Sequence, residues 1–569
     1  MVKYFWKSGL LSCLLALSLL GLPLSVRAND DVSAPLSPLL GVNRHLQQKL
    51  AAAPLPLSLA GEPLAAAQLL HDFYASREYR PLWVSEDAVN VQATTLLERI
   101  KKAGDDGLRG ADYHTPALEL LIAKQAAINS DMPAINDPGG LADIELLLSD
   151  AYLLYGLHLQ QGRVLEYTNK VRINFGADSA VFIKSLDQAA ADGLIEKNLD
   201  GLAPQRIDYV RLRDALVAMR KQKEDSHWAV PEDGVLHPGA MDSRVPKLRV
   251  RLLLTGDLTE APADKASQEY DAVLQEAMRR FQRRHGLVAD GVAGHETWVA
   301  LNISLRQRMG QLAVNLQRLR WLNANALGER YLQINIPGYE LDLFDQGQKI
   351  LNSRVIVGRD YRRTPLFRSE LTQIVLNPYW RVPHKLAVQD VWKEIQKNPA
   401  YLEEMQIQVL SSWEPDAEVV DPATVNWHEL TAEDFPYHFR QLPGPKNALG
   451  RIKFMMPNNM SIYMHDTPTH QLFEERRRGF SSGCIRIEKH VELALYLLKD
   501  DPKWSRESLD KVWASGATRY VPIKNPLPVY LTYITAWVDD EGRLQFRDDI
   551  YGMDKTLAAA LRVPLFGRR

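Results

Sequence analysis

The chain has 569 residues, which is enough for three or four domains, and its formal net charge at pH 7 is −2. The 68 basic and 70 acidic residues nearly balance, so the chain lacks the basic footprint that nucleic-acid binding requires. Length and charge therefore indicate a multidomain protein and exclude nucleic acid as its main partner.

The N-terminus contains the three parts of a secretory signal peptide. Lys3 and Lys7 form a basic region, a mostly apolar stretch follows from Leu10 to Leu24, and Val26-Arg27-Ala28 ends in a small residue. The pattern predicts cleavage after Ala28. Residues 1–28 are then a signal peptide, and the mature protein is exported.

Cleavage changes what the mature chain contains. Cys13 is lost with the signal, and the net charge falls from −2 to −5 because three basic residues and no acidic residue are removed. A lipoprotein signal ending at Cys13 is the alternative, although the apolar run before Cys13 is short for one. No other segment approaches the ~20 apolar residues needed to cross a bilayer, so no transmembrane segment is expected after cleavage. Residues 29–61, rich in Ala, Pro, Leu and Ser, predict a flexible leader.

Residues 62–245 have a helical pattern and no catalytic constellation. Apolar residues recur three and four positions apart, as on one face of an amphipathic helix. We therefore predict a helical scaffold domain. The residues that set this pattern are Leu64, Ala67, Leu70, Phe73 and Tyr74, and further on Leu141, Ile144, Leu147, Ala151, Leu154 and Tyr155.

Residues 246–303 predict a compact helical unit. Phe281-Gln282 ends an apolar helix face, Gly286-Leu287 follows, and Asp290-Gly291 with Gly294 describes a tight turn that leads into a helix near Thr297. These residues resemble the signature of the peptidoglycan-binding domain type 1 family, which implies a small three-helix domain that binds peptidoglycan. A helical spacer without a ligand is the alternative. An apolar stripe then predicts a linker helix over 304–324, formed by Leu305, Met309, Leu312, Leu316 and Leu319.

After about residue 325 the pattern changes to short strands separated by Gly and Asp turns. The predicted fold class is thus multidomain α+β, with a helical N-terminal scaffold, a small three-helix domain and a mainly-β domain over 325–500. An insertion at 384–441 emerges between strands and is placed to act as a lid, with a decorative subdomain as the alternative. Residues 501–569 are predicted to be a C-terminal extension whose β-hairpin, turning at 539–542, completes the domain. The aromatic residues of the insertion include Trp392, Tyr401, Trp413 and Trp427.

Cys484 is the only cysteine that the mature chain keeps. Cysteines of exported proteins usually form disulfides, so a lone thiol beside a glycine and a serine pair favours an acyl-transfer nucleophile. The thiolate needs a base, and His465, which ends an alternating strand nineteen positions upstream, is the candidate. Gly483 permits a tight backbone conformation in which its N–H and that of Cys484 face a developing oxyanion. A buried, inert thiol is the alternative.

The run from His465 to Ser481-Ser482-Gly483-Cys484-Ile485-Arg486 resembles the L,D-transpeptidase catalytic signature. Together with the other regions, it resembles the long periplasmic L,D-transpeptidases of Gram-negative bacteria. The resemblance implies that His465 deprotonates Cys484, which attacks diaminopimelate in a stem tetrapeptide. An amine of an acceptor stem then resolves the thioester and gives a 3→3 crosslink.

The same resemblance implies a periplasmic location, peptidoglycan stem peptides as substrates and sensitivity to carbapenems. Penicillin-binding proteins and D,D-carboxypeptidases are candidate partners. No cofactor is expected, and no metal either, since no His-Glu-x-x-His motif occurs.

Other residues near Cys484 are expected to support the site. The family's second histidine is Ser482 here, so its role cannot be carried over, although the long-chain branch has serine there too. Arg486 either pairs with a substrate carboxylate or fixes the loop, and the second role is favoured. Tyr463 shares a sheet face with His465, and Ser481 is a supporting residue. Asp466 is interpreted as a turn residue, because a backbone carbonyl can also orient the imidazole.

Two other functions remain open. A hydrolase would use the same Cys–His pair with water as acceptor, as an L,D-carboxypeptidase or a crosslink-cutting amidase. A non-catalytic cell-wall-binding scaffold would use only the helical regions. Ser508-Leu509-Asp510-Lys511 fits the Ser-x-x-Lys motif of penicillin-binding enzymes, but the partner motifs are missing, which favours a chance match.

Overall fold

The structure, a computed structural model, describes residues 38–51, 57–85, 88–131, 137–166, 170, 172, 176, 179–222, 229–231, 234–260, 263–264, 266–324, 327–414 and 416–563. The predicted signal peptide and much of the predicted leader lie outside these residues. Within the described part, a helical region precedes a three-helix unit and a mainly-β region, so the predicted α+β class is confirmed. None of the described helices has the length and apolar character needed to span a bilayer.

The N-terminal region consists of helices packed around one long helix. Its elements are α1 (Pro38–Ala51), β1 (Ser58–Leu59), β2 (Glu62–Pro63), α2 (Ala67–Ser76), α3 (Val91–Lys101), α4 (Thr115–Asp131), α5 (Pro138–Gln161), α6 (Ser179–Asp192), α7 (Ile195–Leu202) and α8 (Ile207–Arg220). Nearly every residue of α5 between Leu141 and Leu159 is buried, including the charged Glu145 and Asp150, because the other helices surround it.

Helix α1 changes one expectation from the sequence. The leader was predicted to be flexible over 29–61, but α1 lies within this range. Val42, Leu46 and Leu50 recur every four residues, are buried, and pack α1 against α5. Such a short helix gains its stability from tertiary packing more than from its own propensity, which is why composition alone did not reveal it.

The three-helix unit contains α9 (Val245–Leu254), α10 (Ala272–Arg284) and α11 (His295–Asn302). Its sequence signature holds the turn between α10 and α11 together. The buried Gln282 donates through Nε2 to Asp290 Oδ1 at 3.1 Å and to Thr297 Oγ1 at 3.2 Å, and its Oε1 accepts from the Gly291 N–H at 2.8 Å. The polar residues of the signature therefore have a structural role within the unit.

The next helix, α12 (Leu305–Ala324), is a core helix as well as a connection. Arg320 is fully buried and donates to the Asp106 carbonyl at 2.6 Å in the helical region. Asn315, also buried, donates to Thr535 Oγ1 at 2.8 Å in the C-terminal segment. The predicted linker thus joins the first and last parts of the chain through buried polar contacts.

The remaining elements, in chain order, are β3 (Tyr331–Asn335), β4 (Glu340–Asp345), β5 (Gln348–Gly358), β6 (Arg368–Leu376), β7 (Trp380–Arg381), α13 (His384–Leu386), α14 (Trp392–Lys397), α15 (Tyr401–Glu404), β8 (Ile407–Leu410), β9 (Val419–Val420), β10 (His438–Gln441), β11 (Ile452–Met455), β12 (Met464–His465), β13 (Gly479–Ser481), β14 (Ile485–Ile487), α16 (His490–Leu497), α17 (Arg506–Ser515), β15 (Arg519–Thr532), β16 (Ala536–Val538), β17 (Leu544–Phe546) and α18 (Met553–Leu561).

In the described part of the mainly-β region, nine strands form one sheet in the order β13-β5-β14-β12-β11-β6-β15-β3-β4. Strand β4 also pairs with β5, so the sheet closes on itself as a barrel. Strands β12 and β14 run parallel, and so do β15 and β3. The closed sheet surrounds a core of fully buried aliphatic residues such as Leu332, Ile374, Met464 and Val529.

The insertion, together with β7 just before it, forms a separate four-stranded sheet in the order β7-β10-β8-β9, with its own apolar core. Trp392 and Trp427 are buried in this core, and Trp392 Nε1 donates to the Trp427 carbonyl at 2.9 Å. Trp413 packs on His438, with ring centroids 4.9 Å apart. These tryptophans therefore stabilise the insertion itself.

The C-terminal segment completes the barrel in a different way from the prediction. The long strand β15 lies between β6 and β3, inside the sheet. The predicted hairpin exists as β16 and β17, but it packs against α8, α12 and α10 and does not pair with the barrel. Its buried Phe546 belongs to the core of the helical region, which explains why the hairpin lies there.

Candidate active site

A cavity of about 710 Å³ lies between the barrel and the insertion. It is lined by six of the seven residues predicted from the sequence to form the site, and the seventh, Gly483, lies in the same loop as Cys484. The six are Tyr463, His465, Ser481, Ser482, Cys484 and Arg486. Insertion residues that line the same cavity are Lys385, Leu386 and Asp390.

The pairing of β12 with β14 brings the predicted nucleophile and base together. Met464 lies opposite Ile485 and His465 opposite Arg486, so Cys484 is diagonal to His465 across two parallel strands. Diagonal neighbours in a sheet have Cα atoms roughly 7–8 Å apart, a distance that two side chains on the same face can bridge. Because alternate residues share a face, the side chains of Tyr463, His465, Cys484 and Arg486 all point toward the cavity.

Gly483 is required by the backbone of the loop that presents Cys484. Its φ is +120°, a conformation that residues with a side chain rarely adopt. A Cβ at this position would also lie 3.2 Å from Ile462 Cδ1 and 3.5 Å from the Arg363 carbonyl. Both the conformation and the close packing therefore select glycine.

Internal hydrogen bonds fix the same loop. Ser481 Oγ donates to the Cys484 carbonyl at 2.6 Å and accepts from the Gly483 N–H at 3.1 Å. Thr364, fully buried, donates to the Gly483 carbonyl at 2.8 Å. The Gly483 N–H is therefore engaged and does not face an oxyanion as the sequence had predicted. Within the described residues, the Cys484 N–H has no hydrogen-bond partner.

His465 is oriented by a backbone carbonyl. Its Nδ1 lies 2.5 Å from the Asp466 carbonyl oxygen, so Nδ1 carries the proton and Nε2 has the free lone pair. The Asp466 carboxylate instead accepts from the Arg451 N–H at 2.9 Å and lies 3.3 Å from His490 Nδ1. Asp466 is thus part of the turn.

Burial keeps both reacting groups neutral. It lowers the pKa of His465 to about 3, with the positive charges of Arg486 and Lys453 contributing in the same direction. Burial also raises the pKa of Cys484, and its Sγ lies 3.8 Å from the Ser461 carbonyl oxygen. The arrangement favours a thiol and a neutral imidazole at rest.

Lys453 is a residue near the site that the sequence did not suggest. It lies opposite His465 across β11 and β12, and its Nζ is 3.9 Å from the centre of the Tyr463 ring. Burial lowers its pKa. Lys453 alternates with the buried Ile452 and Phe454, but only the strand pairing reveals that its partner is the candidate base.

Arg362 connects the insertion to residues 481–484, which we call the catalytic loop of the candidate site. The sequence did not suggest Arg362 either. Its guanidinium pairs with Asp390 at 2.6 Å, donates to Gln389 Oε1 at 3.0 Å, and donates to Ser482 Oγ at 3.0 Å. Ser482, which stands where the family signature has histidine, is therefore linked to the insertion through Arg362.

Two sequence features lie outside the reacting centre. Ser508 completes the N-terminal capping box of α17 with Ser505, which accounts for the apparent Ser-x-x-Lys motif. Among the described residues, no cluster of three or more His, Cys, Asp or Glu side chains could hold a metal ion.

Comparison with known proteins divides the chain into three matched regions. Residues 329–504 match a family model described as "L,D-transpeptidase catalytic domain". Residues 242–301 match one described as "Putative peptidoglycan binding domain", and residues 68–216 match one described as "Scaffold domain". The first two matches confirm the domain resemblances that the sequence motifs indicated.

A curated protein of Haemophilus influenzae, named "Putative L,D-transpeptidase", is 40% identical to this chain over 250 residues. The alignment covers 44% of this chain and 49% of the relative. The chain thus spans about half the length of the curated relative that it matches.

Proposed function

We propose that this chain, which carries an L,D-transpeptidase catalytic domain, forms 3→3 crosslinks between diaminopimelate residues of peptidoglycan through a thioester on Cys484. One observation carries the proposal above the others. Cys484 and His465 line a single cavity, and the hydrogen bond at Nδ1 leaves the Nε2 lone pair of the imidazole free to take the thiol proton.

The proposed reaction has two steps. As Sγ of Cys484 attacks the carbonyl at the L-centre of diaminopimelate, Nε2 of His465 takes the thiol proton. The C–N bond then breaks, and the imidazolium gives its proton to the departing amine of D-alanine. In the second step, an acceptor amine attacks the thioester, His465 takes one of its protons, and the new amide forms as the thiol is restored.

The oxyanion would be stabilised by the backbone of the catalytic loop. The Cys484 N–H is the available donor there, since Ser481 engages the N–H of Gly483. Lys453 adds positive charge near the developing anion. The thiol of Cys484 is still protonated at rest. We therefore expect the site to accelerate the reaction mainly by stabilising the charge that develops in the transition state.

We place the protein outside the cytoplasm, in the periplasm, after cleavage of a signal peptide at 1–28. Cell-wall-acting domains support an extracytoplasmic location. Penicillin-binding proteins and D,D-carboxypeptidases are proposed partners, because the latter would supply the tetrapeptide donor. The three-helix unit is proposed to bind peptidoglycan.

Incubation of the purified protein with tetrapeptide-containing muropeptides tests the reaction. We expect 3→3 dimers and release of one alanine per crosslink, and neither product with Cys484→Ala. Tripeptide without dimers would instead assign the hydrolase function.

Mass spectrometry after incubation with a carbapenem tests the nucleophile. We expect one covalent adduct on Cys484 of the wild-type protein and none on Cys484→Ala. Absence of both the adduct and the peptide products would favour a non-catalytic scaffold.

A further inference from the structure

The cavity around Cys484 has an excess of positive charge. Its lining includes five cationic side chains and one carboxylate, Asp390. That carboxylate is paired with Arg362 at 2.6 Å. The remaining four cations, which are Arg359, Arg363, Lys385 and Arg486, have no ion-pair partner among the described residues.

Arg486 is the cation nearest the reacting pair. It lies opposite His465 in the parallel strands and two residues beyond Cys484, on the same face. Its Nη1 donates to Thr469 Oγ1 at 3.2 Å, whereas its Nε is buried and has no hydrogen-bond partner in the described part of the chain. A buried donor without a partner destabilises the free protein, and a ligand that accepts from it removes this penalty.

Arg359 lines the same cavity as Arg486 and adds a second positive charge. Burial lowers the pKa of Arg486, and repulsion from Arg359 lowers it further. By contrast, Arg354 outside the cavity has both Glu474 and Glu488 as partners. Two neighbouring guanidinium groups without an acid form a binding site suited to a carboxylate, which Arg recognises through two parallel N–H donors.

We infer that Arg486, with Arg359, binds the free carboxylate of the residue that leaves the donor peptide. This inference rests on the proposed function. Residues two apart on a strand are separated by about 6.6 Å. The side chain of Arg486 is long enough to span this distance and approach the carbonyl that Cys484 attacks. In a tetrapeptide donor, the terminal carboxylate is one residue, at most about 3.6 Å, from that carbonyl.

The assignment explains a preference for a donor that ends immediately after the scissile bond. A donor with one more residue would move its carboxylate about 3.6 Å farther from the reacting carbonyl and from Arg486. A bound carboxylate would also neutralise part of the positive charge opposite His465 and thereby favour its protonation during attack.

Three synthetic tetrapeptide donors test the inference. One is unmodified, one is amidated at its terminal carboxylate, and one is amidated at the side-chain carboxylate of diaminopimelate. We expect wild-type kcat/KM to fall about 10- to 100-fold for the terminal amide and to change little for the diaminopimelate amide. The reverse order would assign the cations to the diaminopimelate carboxylate and overturn the inference.

Substitution of the cation completes the test. Arg486→Gln should lower kcat/KM for the unmodified donor by the same factor and leave the terminal amide nearly unaffected, so that the two donors become equivalent. Arg486→Lys should restore part of the discrimination. Arg506→Gln, which removes an exposed charge on α17, should keep the wild-type ratio between donors.

The outcomes separate the two levels of proposal. If wild-type protein turns over neither the unmodified donor nor its amides, the proposed function fails. If it turns over the unmodified donor but Arg486→Gln lowers the rates of all donors equally, only the inference about Arg486 fails. An unchanged melting temperature of Arg486→Gln verifies that the variant is folded.

Discussion

At the scale of single residues, the candidate site combines a thiol and an imidazole that are both neutral at rest. Burial raises the pKa of the Cys484 thiol and lowers that of the His465 imidazole to about 3. A thiolate–imidazolium pair is thereby disfavoured, in contrast to cysteine sites whose thiolate is stabilised in advance.

The rate of alkylation of Cys484 reports the protonation state of its thiol. We expect its rate with iodoacetamide to be low at pH 7 and to keep rising through pH 9, because the thiol loses its proton only above its ordinary range. His465→Gln should have a similar profile, since the neutral imidazole contributes no charge. A rate that is already constant between pH 6 and pH 8 would contradict the neutral pair.

Gly483 has a role at the candidate site that depends on its backbone conformation. Gly483→Ala should destabilise the protein by about 1–3 kcal/mol, because alanine is strained at a φ of +120° and would contact Ile462. It should also lower kcat/KM by displacing Cys484. Gly201→Ala is the matched control, since nothing lies within 4 Å of its Cβ position, and it should change stability by less than about 1 kcal/mol. Equal effects of the two substitutions on stability would show that the conformation at position 483 does not require glycine.

At the scale of elements, the insertion and the catalytic loop are connected by Arg362. The ion pair with Asp390 has a half-exposed carboxylate, so it adds less than about 1 kcal/mol to global stability. Its importance is local, because the same guanidinium contacts Ser482.

Arg362→Ala should therefore change activity more than stability. We expect faster amide hydrogen exchange in the insertion and in 481–484, and about a tenfold lower kcat/KM, with almost the same melting temperature. Lys397→Ala, which removes an exposed ion pair on α14, is the control and should alter none of these. Unchanged exchange in Arg362→Ala would show that other contacts hold the insertion.

At the scale of the whole molecule, buried neutral histidines make stability depend on pH. Burial lowers the pKa of both His158 and His465 to about 3, and it lowers that of His285 as well. The unfolded chain binds protons at these residues below about pH 6.5, whereas the folded chain does not. Their contribution to stability is complete above pH 6.5 and is lost as the pH falls toward 3.

Chemical denaturation at several pH values checks this expectation. Each such histidine should lower the free energy of unfolding by about 1.4 kcal/mol per pH unit below pH 6.5, whereas Glu145, whose pKa burial raises to about 7, acts in the opposite direction between about pH 7 and pH 4.5. His158→Gln should reduce the slope by about one histidine's share. A stability that is constant from pH 7 to pH 5 would contradict the assignment.

The sequence alone indicated the chemistry and the order of domains. These predictions came from local patterns, whose residues lie close together in the sequence. The patterns are a lone cysteine after glycine, a histidine at a strand end and the Phe281-to-Thr297 signature. The family matches agree with the two domain resemblances.

The tertiary structure decided what depends on contacts between distant residues. The helical leader segment, the core position of α12 and the placement of β15 within the barrel all depend on partners far along the chain. The same holds for Lys453 opposite His465, for the use of the Gly483 N–H by Ser481 and for the Arg486 Nε, which has no hydrogen-bond partner within the described residues. Such features follow from strand register and burial. Register determines which side chains are in contact, and burial determines which charged groups are desolvated.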